Sequence, residues 1–279
     1  MTLFHKIKLL HFVGIGGSGM CGIAEVLLNL GFKITGSDLR ETDITRRLTD
    51  LGAEISIGHS AENIRETDVV VISSAVKSDN IEVKTAEERG IPIIRRAEML
   101  AELMRMKFGI AIAGTHGKST TSSIVGEILS YGNLDPTVIV GGIVRSLGTG
   151  AVVGKSEYLV VDADEFDRSF LKLIPTIAVV TTLEAEHMEC YTDMDDLRSA
   201  FVEFMNKVPF FGAVILCLDE TSLQELLPRI ERRVITYGLS TQSDLRATRI
   251  HFDKNKTRFE VNSRSFSYGE IEVELVGMH

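Results

Sequence analysis

An apolar run that ends in a glycine-rich turn constrains the fold of this chain more than any other feature of its sequence. The run covers residues 108–113, and the turn that follows it, GTHGKST, occupies residues 114–120. Apolar residues then recur over residues 121–129 at helical spacing. A nearly pure apolar run is typical of a strand buried on both faces of a parallel sheet. The sequence therefore predicts a strand, a phosphate-binding turn and a helix, in that order.

The turn carries the residue types that hold nucleotide phosphates. Backbone N–H groups at the start of a helix point toward a bound anion, and the helix dipole adds partial positive charge. Lys118 can reach the outer phosphates, and the hydroxyl group of Ser119 or Thr120 can hold magnesium. The first glycine of the standard phosphate-loop pattern would fall at Ala111, so the turn is a variant. The alternative, a plain strand-to-helix turn with an exposed lysine, is disfavoured by the strand and helix on either side.

A second glycine-rich turn, Gly14-x-Gly16-x-x-Gly19, also follows an apolar run and precedes a helical pattern. Asp38 comes about 20 residues later, at the position that binds a ribose hydroxyl in dinucleotide-binding folds. On these residues alone, NAD, FAD or any nucleotide diphosphate could be the ligand. The alternative is that the glycines only allow a helix to pack closely on a strand.

Two acidic runs follow neighbouring apolar runs in the second half of the chain. The first is DADEFD at residues 162–167, and the second is EAEH at residues 184–187. Because ligands of α/β proteins bind at the carboxyl ends of parallel strands, both runs are candidates for holding magnesium or substrate. The alternative for each run is a solvated loop. Arg95 and Arg96 could equally hold an anionic substrate or lie on the surface at the start of a helix.

Apolar runs alternate with helical patterns as far as about residue 240, which is typical of βαβ units. The predicted strands cover residues 8–13, 32–35, 68–72, 91–94, 108–113, 137–140, 158–161, 177–180, 213–216 and 233–236. A helix predicted over residues 96–104 leads out of the first domain, so we place the domain boundary near residue 105. The predicted fold is α/β, with a parallel-sheet domain at residues 1–105 and a second α/β domain at residues 106–279.

The pattern changes near the end of the chain. Residues 258–262 and 271–275 alternate apolar and polar side chains, as half-exposed antiparallel strands do. The second domain is therefore expected to carry a small antiparallel β extension. No helical pattern follows to cover the last strand, so we expect the end of the sequence to be a cut rather than a natural terminus.

Composition argues against several classes of protein. The net charge is −9, from 39 acidic and 30 basic residues, which disfavours nucleic acid or an anionic membrane as the main partner. The three cysteines have no CxxC spacing, which fits a reducing cytoplasm better than a disulfide framework or a zinc site. No apolar run approaches the ~18 residues that a membrane-spanning helix needs.

Four motifs, taken in order, resemble those of the Mur ligase family. They are GIGGSGMCGIAE at residues 14–25, GTHGKST at 114–120, DADEFDRSF at 162–170 and EAEH at 184–187. The resemblance covers essentially the whole chain. It implies a Rossmann-like domain for a UDP-sugar, a P-loop ATPase-type central domain, and a C-terminal domain for the incoming amino acid. The first two would be residues 1–105 and 106–279, the second incomplete at its end, and the C-terminal domain would be absent.

The resemblance also implies an activity and a set of site residues. The family reaction closest to this sequence is ATP-dependent ligation of L-alanine to UDP-N-acetylmuramate through an acyl phosphate, in the cytoplasmic synthesis of peptidoglycan precursors. Positioning and charge neutralisation dominate phosphoryl transfer. The catalytic residues would be Lys118, Asp162 and His187, and the Mg²⁺ ligands would be Ser119, Asp162 and His187. ATP would be bound by Gly114, Thr115, His116, Gly117, Lys118, Ser119 and Thr120, and the UDP-sugar by Gly14, Gly16, Gly17, Gly19, Ser37, Asp38, Ser73 and Ser74.

Some positions depart from the family pattern. Asp162 stands where the family normally has the longer Glu, and Val276 replaces a proline in a segment near the adenine of ATP. We expect little or no ligation by this chain alone. Three alternatives stay open: a ligase that recycles murein tripeptide onto the same UDP-sugar, a non-catalytic nucleotide-binding module, and a dehydrogenase that binds NAD at the first glycine-rich turn.

Overall fold

The computed structural model describes residues 7–144 and 149–274. These residues form two compact units. Unit 1 comprises the described residues up to Phe108 together with Ser122–Asp162, and unit 2 comprises Gly109–Thr121 together with the described residues from Ala163 onward. Among the described residues, no helix combines the length and the apolar composition needed to cross a lipid bilayer.

The first sheet lies in unit 1. Its strands are β1 (Leu9–Val13), β2 (Lys33–Asp38), β3 (Glu54–Ile57), β4 (Val69–Ile72) and β5 (Ile93–Arg95), and its helices are α1 (Ser18–Asn29), α2 (Asp43–Asp50), α3 (Ile81–Glu88) and α4 (Arg96–Arg105). The strand order is β3-β2-β1-β4-β5, and every pair is parallel. The order reverses between β1 and β4, and ligands of open α/β sheets bind beside such a reversal.

Burial explains why the central strands form. Phe12 and Val13 of β1 and Val70 and Val71 of β4 have no exposed surface, as expected for strands covered on both faces. The edge strand β3, in contrast, has mostly exposed side chains. The most buried strands of this sheet are therefore β1 and β4, and the turn that begins at Gly14 directly follows β1.

The remaining elements follow in chain order. They are β6 (Phe108–Ala113), α5 (Lys118–Tyr131), β7 (Thr137–Val144), β8 (Thr149–Val152), β9 (Tyr158–Asp162), β10 (Ile177–Val180), α6 (Met194–Asn206), β11 (Ala213–Cys217), α7 (Thr221–Gln224), β12 (Val234–Gly238), β13 (Leu245–Asp253), β14 (Lys256–Ser263) and β15 (Ser267–Val273). In unit 1, β7 pairs in parallel with β9 and antiparallel with β8. In unit 2, β6, β10, β11 and β12 are parallel neighbours, and β13, β14 and β15 form antiparallel pairs.

The predicted α/β class is confirmed, with corrections to single strands. Strands β3, β8 and β13 were not predicted, and β2 continues past residue 35 to Asp38. The short strand predicted at residues 91–94 is β5, which starts only at Ile93 because Pro92 precedes it and cannot donate a ladder hydrogen bond. The last predicted strand corresponds to β15, which ends at Val273, and residue 275 lies outside the described residues.

Candidate functional site

The turn at residues 114–120 depends on two glycines that have positive φ angles. Gly114 has φ 134° and Gly117 has φ 81°. A Cβ atom on Gly114 would lie 2.1 Å from Oγ1 of Thr181, so no larger residue fits without movement. The turn is tied to the end of β10, since Thr115 N donates to the Thr182 carbonyl (3.1 Å) and His116 N donates to Thr182 Oγ1 (3.0 Å). The glycines thus let the turn pass close to the residues after β10.

The residues of the turn differ in exposure. Gly114 and Thr115 are buried, Lys118 is partly buried, and the others are exposed: His116, Gly117, Ser119 and Thr120. Helix α5 begins at Lys118, so the exposed part of the turn stands at a helix N-terminus. An exposed turn in this position suits an anionic ligand.

Lys118 makes two contacts within unit 2. Its Nζ donates to the carbonyl oxygen of Gly114 (2.6 Å) and to Oε2 of Glu165 (2.8 Å). Glu165 follows β9 and has no exposed surface. The ammonium group is therefore held by a buried carboxylate, in reach of the turn.

Glu165, Glu186 and His187 form a group that could hold a divalent cation. One ligand atom from each residue lies within 4.8 Å of the others. Oε1 of Glu165 is buried, has no hydrogen-bond partner among the described residues, and lies 3.9 Å from Nε2 of His187. A buried carboxylate oxygen without a donor is the kind of group that a cation satisfies, and carboxylate oxygens suit Mg²⁺ or Mn²⁺.

Neighbouring aromatic residues fix parts of this group. The ring of Phe166 packs edge-on against His187, with 5.3 Å between the ring centroids. The Tyr191 hydroxyl donates to the carbonyl oxygen of Glu165 (2.6 Å). Burial raises the pKa of Tyr191, and the nearby Glu165 carboxylate adds to the effect, so the hydroxyl stays a donor.

One other predicted metal ligand, Asp162, already has hydrogen-bond partners within unit 1. Asp162, at the end of β9, accepts hydrogen bonds from the Ser122 hydroxyl and from Gly141 N (3.2 Å) within unit 1. His187 is brought together with Glu165 and Glu186 instead. The sequence showed these two glutamates only as members of acidic runs, and the set of Ser119, Asp162 and His187 stays a prediction.

The first glycine-rich turn is held from β2. Gly14, with φ 76°, and Ile15 both donate their N–H groups to the Ser37 carbonyl oxygen (2.9 and 3.1 Å). Gly16 N donates to Oδ2 of Asp38 (2.8 Å). Gly17 is the N-cap of α1 and provides no side-chain cap. The N-cap residue of α1 thus supplies no side-chain acceptor, which suits an anion at this turn.

The residues predicted to bind the UDP-sugar differ in their burial and in the hydrogen bonds that they already make. Ser37 is fully buried, and its hydroxyl donates to Oε2 of Glu82 (2.6 Å), so that hydroxyl is already used inside the unit. Ser73 is partly buried and Ser74 is exposed, both directly after β4. A Cβ atom on Gly19 would lie 3.0 to 3.2 Å from side-chain atoms of Arg96, which puts that arginine beside the start of α1.

Glu82 is the centre of a buried polar cluster that sequence reasoning missed. Besides Ser37, it accepts hydrogen bonds from Nδ2 of Asn63 (2.6 Å) and from the ring of His59 (3.1 Å between Nδ1 and Oε2), and His11 Nε2 lies 3.7 Å from it. Burial alone would raise the pKa of Glu82, but the contacts with His11, Ser37 and Asn63 outweigh burial and lower it to about 2. The members are far apart in the sequence, so no local pattern could indicate the cluster.

Comparison with known proteins gives the same family for both parts of the chain. Residues 9–108 match the profile described as "Mur ligase family, catalytic domain", and residues 112–279 match the "Mur ligase middle domain". A UDP-N-acetylmuramate–L-alanine ligase of Geotalea uraniireducens is 56% identical over 277 residues, which is 99% of this chain and 60% of that protein. A protein of the same name from Myxococcus xanthus is 58% identical over 269 residues, 96% of this chain and 57% of that protein.

Two solved structures are also similar. One is a UDP-N-acetylmuramate:L-alanyl-gamma-D-glutamyl-meso-diaminopimelate ligase from Neisseria meningitides, with a TM-score of 0.84 and 26% identity, covering 97% of this chain and 89% of that one. The other is a UDP-N-acetylmuramate-alanine ligase from Thermotoga maritima, with a TM-score of 0.80 and 27% identity, covering 98% of this chain and 62% of that one. The chain spans about 60% of the length of the curated relatives it matches.

Proposed function

Because the chain belongs to the Mur ligase family, we propose that residues 106–279 bind ATP with Mg²⁺ and that residues 1–105 bind the UDP-sugar. The observation that carries the proposal is the turn at residues 114–120, whose Lys118 stands between the Gly114 carbonyl and the Glu165 carboxylate. Such a turn at a helix N-terminus favours phosphate groups. The reversal of strand order between β1 and β4, beside Gly14, would provide a second place for a phosphorylated ligand.

The proposed reaction is ligation of L-alanine to UDP-N-acetylmuramate. The curated relatives at 56% and 58% identity carry that name, which supports the choice of amino acid. A carboxylate oxygen of the muramoyl group would take the γ-phosphoryl group of ATP, giving an acyl phosphate and ADP. The amine of L-alanine would then attack the acyl carbon, phosphate would leave, and the amine would lose a proton as the amide forms.

In this reaction the residues of the chain would orient the phosphate groups and neutralise their negative charge. Lys118 would exchange its contact with Glu165 for the γ-phosphate, where charge gathers during transfer. The N–H groups at the start of α5 would hold the phosphates in line. Thr181 and Thr182 would keep the turn in place through their hydrogen bonds with Ala113, Thr115 and His116.

The donor set of Glu165, Glu186 and His187 fits a divalent cation, since one ligand atom from each lies within 4.8 Å of the others and one buried oxygen has no donor among the described residues. Mg²⁺ held there would neutralise phosphate charge when bound. The prediction that Ser119 and Asp162 contribute as well forms part of this proposal.

A second candidate is the ligation of a murein tripeptide to the same UDP-sugar. The observation that favours it is the TM-score of 0.84 with the Neisseria enzyme, whose name describes an L-alanyl-γ-D-glutamyl-meso-diaminopimelate substrate. Both candidates use the same UDP-sugar and ATP, so they differ only in the amine.

Calorimetric titration of the chain tests the proposal. Titrants would be UDP-N-acetylmuramate, ATP with Mg²⁺, and NAD as the control. We expect the first two to bind and NAD not to bind. Lys118→Ala should weaken ATP binding alone, and Asp38→Ala should weaken UDP-sugar binding alone. Binding of NAD without the UDP-sugar would overturn the assignment of the first turn and favour a dehydrogenase.

A further inference from the structure

The loop that carries Glu165 has an uncommon backbone. Asp167 and Arg168, which follow it, have left-handed φ angles of 53° and 60°. His187, the third residue of this kind at the site, has φ 55°. A side chain with a Cβ atom disfavours this conformation, so contacts with the surroundings must hold it in place.

The side chain of Arg168 supplies such contacts. Its Nε donates to the carbonyl oxygen of Cys190 (3.3 Å), and a terminal guanidinium nitrogen donates to the Asp196 carboxylate. The guanidinium carbon lies 4.7 Å from the centre of the Tyr191 ring, within the range of a cation–π contact. One arginine thus ties the loop after β9 to residues 190–196.

Two of the same residues hold the main chain of Glu165. The backbone N–H of Arg168 donates to the Glu165 carbonyl oxygen (3.1 Å), and the Tyr191 hydroxyl donates to the same oxygen (2.6 Å). Fixing this carbonyl fixes the point from which the fully buried side chain starts. Oε2 then meets Lys118 at 2.8 Å, while Oε1 lies 3.9 Å from His187 and has no donor among the described residues.

We propose that Arg168, acting with Tyr191 and Asp196, is a positioning residue for Glu165. This clamp (Arg168, Tyr191 and Asp196) keeps one Glu165 oxygen for Lys118 and leaves the other for a divalent cation. Because the nucleotide draws Lys118 off Glu165 while the clamp keeps the carboxylate in place, the carboxylate charge becomes available to the cation, and binding of the cation and binding of the nucleotide strengthen each other. The inference rests on the proposed ATP site.

Loss of the clamp should change ATP binding in a way that loss of a purely structural contact would not. Loss of a structural contact would lower stability and weaken ATP binding to the same degree with and without Mg²⁺. Loss of the clamp misplaces Glu165 while the turn and Lys118 remain, so ATP binding without Mg²⁺ survives. What falls is the factor by which Mg²⁺ tightens ATP binding, which is a coupling between two ligands.

The experiment measures the dissociation constant of ATP for the chain by calorimetry, once with Mg²⁺ and once with a chelator. Arg168→Gly is the main variant, because glycine accepts the left-handed backbone and only the side-chain contacts are lost. We expect the Mg²⁺ factor to shrink by at least about fivefold. The constant measured with chelator should change by less than about twofold.

The chain offers a matched control. Arg249 is also left-handed, with φ 51°, and its guanidinium contacts Glu260 at 2.7 Å in the antiparallel strands. Arg249→Gly should leave both constants unchanged. Tyr191→Phe, which removes only the hydroxyl donor to Glu165, is the second variant if Arg168→Gly does not fold, and it should lower the Mg²⁺ factor as well.

The outcomes separate this inference from the proposed function. If the wild-type chain shows a Mg²⁺ factor and Arg168→Gly and Tyr191→Phe both keep it, the clamp is overturned and the ATP site stands. The same holds if both constants weaken equally in these variants. If the wild-type chain binds no ATP in either buffer, the proposed function fails and the clamp fails with it.

Discussion

Nζ of Lys118 lies 2.8 Å from Oε2 of Glu165, and the carboxylate of this pair has no exposed surface, while the lysine is 17% exposed. A carboxylate buried in this way is costly without a positive partner. The pair therefore joins the start of α5 to the loop after β9. In the proposed function, ATP draws Lys118 away from Glu165, which would link the stability of the ligand-free site to the affinity for the nucleotide.

The first prediction concerns this pair. Lys118→Met should weaken ATP binding roughly 10- to 100-fold, since a charge-assisted contact to phosphate is lost. It should also lower the free energy of unfolding by about 3 kcal/mol, because the Glu165 carboxylate stays buried without a partner. Urea unfolding of Lys118→Met and of the double variant Lys118→Met/Glu165→Gln checks the cause. Recovery of stability in the double variant is expected, and equal instability of both would contradict it.

The second prediction concerns the close approach at Gly114. Gly114→Ala should lower the free energy of unfolding by roughly 2–4 kcal/mol, since the new Cβ atom meets Thr181 and the backbone angle is unfavourable. The matched control is Gly52→Ala, because Gly52 has φ 104° and its added Cβ would have no atom of residues 7–144 or 149–274 within 4 Å. This control should lose only about 1 kcal/mol. Urea unfolding measures both, and similar losses would show that the contact with Thr181 is unimportant.

The third prediction concerns pH and the buried Glu82. Its pKa is about 2 in the folded chain, against an ordinary value of 4.5. The folded chain therefore binds this proton more weakly than the unfolded chain does. Stability from Glu82 is complete above about pH 4.5 and is lost as the pH falls toward 2, by up to about 3 kcal/mol.

Urea unfolding between about pH 2.5 and 6 tests this dependence. Glu82→Gln cannot lose a charge, so its free energy of unfolding should vary less over this range than that of the wild type. Glu66→Gln, which alters an exposed carboxylate in the same unit, is the control and should keep the wild-type slope. Parallel curves for the wild type and Glu82→Gln would be the contrary result.

The fourth prediction concerns Asp38 and the first glycine-rich turn. Asp38→Ala removes the acceptor for Gly16 N and should weaken binding of UDP-N-acetylmuramate about tenfold, whereas Asp38→Asn keeps an acceptor oxygen and should lose less. Asp68→Ala is the control, because Asp68 accepts from Lys8 N and Leu9 N at the opposite end of β1. It should leave the affinity unchanged. Calorimetry provides the constants, and equal losses for Asp38→Ala and Asp68→Ala would argue against a local role.

Much of the fold could be predicted because the central strands are apolar throughout. Residues 177–180 were predicted as a strand and form β10 with the same bounds, and residues 108–113 form β6. The edge strand β3 has the sequence EISI, with mostly exposed side chains, and shows no apolar run. Strand β13 alternates polar and apolar residues and contains a break in its register after Thr248. Such strands depend on their neighbours, which a single sequence does not display.

The position of the candidate site could be predicted from the sequence, whereas the contacts of its individual side chains could not. The turn at residues 114–120 has a pattern with a physical cause, so its position follows from the sequence. Which carboxylate of the run at residues 162–167 is buried does not follow, because Glu165 is paired with Lys118, a residue distant in the sequence. Ser37 illustrates the converse: the resemblance to the family implies a role in binding the UDP-sugar, yet its hydroxyl donates to the buried Glu82.

The left-handed residues also bear on what directed evolution of this chain would find. A selection for heat tolerance acts first where the backbone is costly, and glycine or asparagine relieves that cost at such positions. Replacement at residue 167 removes a side chain that lies outside the Arg168 clamp. Replacement at residue 168 removes the clamp itself. Libraries enriched only for survival at high temperature should therefore accumulate changes at residue 167 and retain Arg168, because its contacts with Cys190, Tyr191 and Asp196 offset the cost of its backbone, and with it they should retain the response to magnesium.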